Sequence, residues 1–109
     1  MTDVIIIITH LPDRELALKL SRSLVERHLA ACASVLAPCT SIYRWQGRIE
    51  ETAEVPLLIK TRSGLYGEVE AIIREFHPYE LPDILAIAAE HLLPQYREWL
   101  IAETTIAIE

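Results

Sequence analysis

Val4-Ile5-Ile6-Ile7-Ile8 is an unbroken run of β-branched or apolar residues, the pattern of a central strand. Pro12-Asp13 then opens a helix, because Pro suits a first turn and Asp caps or complements it. Leu16, Ala17, Leu20 and Leu24 give that helix one apolar face, which fades near His28. Ala31 to Trp45 reads as a long extended segment interrupted at Pro38. A return strand runs from Arg48 to about Thr61, with Leu57-Leu58-Ile59 as its buried part and Pro56 implying a bulge or unpaired position. Ser63-Gly64 starts a second helix, in which Leu65, Val69, Ile72, Ile73 and Phe76 recur at helical spacing. Pro78 and Pro82 bracket a rigid connection to a fourth strand, Ile84-Leu85-Ala86-Ile87-Ala88. A short third helix follows Pro94 with Tyr96, Trp99 and Leu100 on its inner face, and Thr104 to Ile108 is expected to add a small strand.

The order β-α-β-β-α-β predicts an α+β, ferredoxin-like sandwich with an antiparallel sheet and both helices on one face. Two helices cannot cover both faces of the sheet, so the second face must meet solvent or another subunit. The hairpin between the second and third strands sharpens this. Tyr43 and Trp45 lie two apart, so they share one face of a strand that leads into the tight turn Gln46-Gly47. Core contacts are scarce beside a hairpin tip. Another copy of the chain is the economical cover for these rings.

Composition supports that expectation. With 109 residues, an apolar fraction of 51% and a mean hydropathy of +0.24, the chain is rich in apolar residues for one small domain, read here as residues 1–109. The net charge of −6 and scattered Lys and Arg disfavour nucleic-acid binding. The longest clean apolar run is too short for a membrane span or a signal-peptide core, so a cytoplasmic location without membrane attachment is expected. Cys32 and Cys39 add weak support. On one straight strand, seven positions would put them on opposite faces, roughly 23 Å apart and beyond disulfide reach. Their spacing is not CxxC, so redox and zinc-ribbon readings gain nothing.

Three segments, Ser41-Ile42-Tyr43-Arg44-Trp45-Gln46-Gly47, Leu58-Ile59-Lys60-Thr61 and His77-Pro78-Tyr79-Glu80-Leu81-Pro82, stand in order along the chain. Together with Ala30-Ala31-Cys32, Tyr96 and Trp99, they make the chain closely similar to the CutA family, the divalent-cation tolerance proteins. The resemblance covers nearly the whole chain. It implies a compact homotrimer of ferredoxin-like subunits, related in shape to the PII signalling proteins, in which the long hairpin packs against neighbours. It also implies tolerance to copper or another divalent cation, with no organic cofactor and no established enzymatic activity.

Candidate metal ligands are His77, Asp83 and Cys39. A neutral imidazole suits copper, Asp83 or Glu80 adds oxygen donors, and Cys39 beside Pro38 is the more accessible thiol. His77 also sits just past a helix end, where it can instead hydrogen-bond carbonyls. Cys32, after two alanines, reads as a small buried residue. The resemblance marks two departures: Thr9 and Phe76 stand where some members carry Cys and a second His, which removes two donors. His10 lies beside the first but points to the other face of its strand. Tyr43, Trp45, Lys60, Tyr79, Glu80 and Trp99 form a second candidate set, which the resemblance places in a cleft between subunits. Lys60 is expected to pair there with Glu80 or an anion.

The leading reading is a cytoplasmic trimer that binds divalent metal weakly and contributes to metal tolerance. The alternative is a PII-like sensor that binds a small ligand in the intersubunit cleft and signals to a partner protein. Its weakness is the shortness of the Gln46-Gly47 turn, since signalling loops need mobile chain. Enzyme readings find less support. Thr9 to Arg14 lacks the glycines of an acylphosphatase anion loop, and His77 with Trp99 presents no general base with an identified partner.

Overall fold

The computed structural model describes residues 3–106. Along the chain run β1 (Val4–Leu11), α1 (Arg14–Glu26), β2 (Cys32–Val35), β3 (Cys39–Trp45), β4 (Arg48–Arg62), a 3₁₀ turn (Ser63–Leu65), α2 (Tyr66–Phe76), β5 (Ile84–Ala88) and α3 (Pro94–Glu103). The sheet is antiparallel in the order β2-β4-β1-β5, and β3 pairs with the outer half of β4. This is the α+β sandwich expected from the residue pattern.

β1 continues to Leu11, three residues past the apolar run, because Thr9 and Leu11 keep the inward alternation and pair with Leu57 and Val55. Ile5, Ile7, Leu11, Leu57 and Ile59 then meet Ala17, Leu20, Leu24, Val69 and Ile73 of the two helices in one core. Asp13 is the N-cap of α1, its side chain accepting from Leu16 N–H at 2.8 Å, so Pro12 precedes the helix rather than opening its first turn. At the other end His28 takes φ 59°. His28 N–H donates to Val25 O and Leu29 N–H to Leu24 O, a Schellman closure made without glycine. At the hairpin tip both Gln46 (φ 48°) and Gly47 (φ 80°) are left-handed, as a two-residue I′ turn requires.

The irregularity expected at Pro56 belongs to its partner. Val35 pairs with Leu57 and Cys39 with Glu54, so the Leu36–Pro38 side carries one residue more than β4 does. Leu36 N–H donates to Pro56 O at 3.0 Å. In an antiparallel strand a residue's C=O and N face the same neighbour, so the donor that Pro56 lacks points at this break. On the β1 side, Pro56 keeps regular register opposite His10.

Even-numbered β1 and β4 residues face away from α1 and α2. At one end of this second face α3 covers Val4 and Ala31 with Leu100. Arg62 donates to Thr104 Oγ1 and O, and Arg97 pairs with Asp3. Thr104 caps α3 and does not begin a strand; Ala107 and Ile108 of the expected strand lie outside the described residues. Trp99 is 44% exposed in this chain, a correction to its expected inward position, because the inner stripe of α3 is made by Tyr96 and Leu100. The rest of the second face is bare. Ile6 and Ile8 of β1 register with Ile87 and Leu85 of β5, which are 53% and 50% exposed.

The Arg97 guanidinium holds the Asp3 carboxyl below its ordinary value, mainly through its hydrogen bond. A depressed acid stabilises the fold above its unfolded pKa, and that contribution is lost as pH falls through the folded pKa. Acid unfolding of Arg97→Gln is therefore expected to show a shallower loss of stability below about pH 4 than the parent. Urea midpoints across that range measure it.

Thr9 is fully buried on the helix-covered face, and its hydroxyl has no partner among the described residues. An orphaned buried hydroxyl costs about 1–3 kcal/mol. Thr9→Val keeps the shape and removes the polar atom, so it is expected to stabilise by about 1 kcal/mol, read as a higher urea midpoint at unchanged slope.

Candidate functional site

The end of β1, the β3–β4 arm and the loop from His77 to Asp83 enclose an open cleft of about 570 Å³. Strand alternation builds one wall. Ser41, Tyr43 and Trp45 of β3 share a face with Thr52 and Glu54 of β4, and the Tyr43 hydroxyl hydrogen-bonds Thr52 Oγ1 at 2.9 Å. Tyr79, Glu80, Leu81 and Asp83 form the opposite wall, with His10 at the floor.

His77 fixes that loop. Its backbone N–H donates to Ile73 O as the C-cap of α2. Its ring Nε2–H donates to His10 O at 2.6 Å, and Nδ1 accepts from Tyr79 N–H at 3.3 Å. Both nitrogens are used within the chain and the residue is buried, so no lone pair faces the cleft. The Tyr79 ring leans on the imidazole with centroids 4.5 Å apart. The carbonyl that His77 reaches belongs to β1, not to its own helix, so its bond ties the loop to the sheet.

Asp83 turns to His10. Its Oδ2 lies 2.6 Å from His10 Nδ1, and its Oδ1 accepts the His10 backbone N–H at 3.2 Å. The His10–Asp83 pair escaped the residue pattern because 73 positions separate its members. The one signal was parity: His10 follows Ile6 and Ile8 onto the second sheet face.

The six residues of the second candidate set divide within one chain. Tyr43, Trp45, Tyr79 and Glu80 line the cleft. Lys60 and Trp99 lie at the other end of the face, where Lys60 Nζ sits 5.6 Å from the Tyr96 ring centroid and Tyr96 stacks on Trp99 at 5.5 Å. Lys60 and Glu80 therefore lie at opposite ends of the face within one protomer. Lys60 registers with Ile6, and four strand positions to His10 span roughly 13 Å.

Glu54 is the residue that pattern reading passed over. It is 7% exposed and lines the cleft. Burial pushes the Tyr79 phenol up, and the charge of the Glu54 carboxylate adds to the shift. Among the described residues no Lys, Arg or His nitrogen lies within 4 Å of that carboxylate.

The expected metal set does not assemble in one chain. Among the described residues no three His, Cys, Asp or Glu side chains converge on a common point. Cys39 is half-buried with Sγ 3.9 Å from Ser41 Oγ, and Cys32, expected to be buried, is also half-buried; both are free thiols. Thr9 is sealed in the core and Phe76 packs against that core, so neither position faces the cleft.

Fold and site together define a ferredoxin-like α+β protein with a bare sheet face, an aromatic arm and a rigid His-Pro-Tyr-Glu loop closing a cleft. Residues 5–103 match the profile described as CutA1 divalent ion tolerance protein. The chain belongs to this family. It is 41% identical over 101 residues to the divalent-cation tolerance protein CutA of Pyrococcus horikoshii, covering 93% of this chain and 98% of that one. It is 39% identical over 89 residues to mouse Protein CutA, covering 82% of this chain and 50% of the mouse protein, so it spans about half the length of that relative. The crystal structure of CutA from Xylella fastidiosa superposes with a TM-score of 0.91 at 39% identity, covering 95% of this chain and all of that one.

Proposed function

We propose that the protein acts in divalent-cation tolerance as a cytoplasmic homotrimer that holds a cation such as copper weakly. The bare sheet face carries this reading. Ile6, Ile8, Leu85 and Ile87 on that face, with Tyr43 and Trp45 on the arm beyond it, form apolar surface that a lone protomer leaves in water. A binding rather than catalytic role is part of the reading.

Weak metal contact follows from the donors. Asp83 engages His10 Nδ1, which leaves Nε2 as the imidazole nitrogen directed away from that bond. A carboxylate that orients a histidine in this way is the arrangement metal-binding imidazoles use. One imidazole without two further converging ligands gives low affinity. Equilibrium copper titration of the untagged protein is expected to show weak saturable binding that His10→Ala reduces and His77→Gln leaves in place. Tight binding untouched by His10→Ala would contradict it.

The cleft itself favours a second reading, a PII-like sensor whose small ligand signals to a partner protein. Aromatic walls with a few polar groups are the usual form of a small-ligand site.

A further inference from the structure

We draw no further inference here: the strongest candidate, the groove between α1 and the edge strand β2 lined by Leu18, Val25, Ala33 and Val35, carries nothing, because nothing in the structure shows what covers it.

Discussion

His77→Leu is expected to destabilise the protein by about 2–4 kcal/mol while leaving copper binding unchanged. The imidazole donates to His10 O and accepts from Tyr79 N–H inside a buried pocket. Leucine fills comparable space but leaves a carbonyl and an amide without partners, each at about 1–3 kcal/mol. The loop from Pro78 to Asp83 then loses its His77 tie to β1, while the Asp83 bonds to His10 N–H and Nδ1 still hold its far end against the strand. Urea unfolding at one fixed protein concentration measures the effect, since association would otherwise shift the midpoint. A variant with an unchanged midpoint but abolished copper binding would reverse the assignment and make His77 a ligand.

The second large effect concerns the bare face. Leu85→Lys combined with Ile87→Lys is expected to leave the protomer folded and to abolish its association. Both side chains point away from α1 and α2, and each is about half exposed, so the core built on Ile5, Ile7 and Leu57 is untouched. Two charges brought into an apolar contact cost several kcal/mol per subunit pair unless they find partners. Far-UV circular dichroism is expected to match the parent while light scattering after gel filtration reports a monomer. Retained assembly would mean that subunits meet elsewhere.

Much of this architecture was legible in local patterns. The β-branched run at Val4–Ile8, the helical spacing of Val69 and Ile73, and the two-residue turn at Gln46-Gly47 each have a local physical cause, and the structure contains all three elements. What pattern could not supply was position along a face. Alternation places Lys60 and His10 on the same side of the sheet, yet it says nothing of which loop arrives at which end. Within one protomer Lys60 lies under Tyr96 of α3, at the end of the face remote from Glu80. His77 read correctly as a residue at a helix end, but its bond partner on β1 lies 67 positions away. Glu54 offered the least warning, because a carboxylate among Glu50 and Glu51 reads as part of a solvated face. In the fold it is 7% exposed and stands at the cleft beside the loop that carries Tyr79.

The sealing of Thr9 is informative for the same reason. The resemblance marks this position as a lost thiolate donor, whereas the structure puts it among Leu11, Leu20 and other residues of the helix-covered core. A thiol at position 9 of this chain would be a core group. The next residue, His10, has the opposite parity and stands on the face with the cleft.

Sedimentation equilibrium of the untagged protein at micromolar concentration tests the central claim, that the bare face and aromatic arm are covered by sister chains. The account requires a single species near 37 kDa, three times the 12.4 kDa protomer. A single species at 12.4 kDa, with Trp45 fluorescence in a Trp99→Phe variant typical of an indole in water, would contradict it.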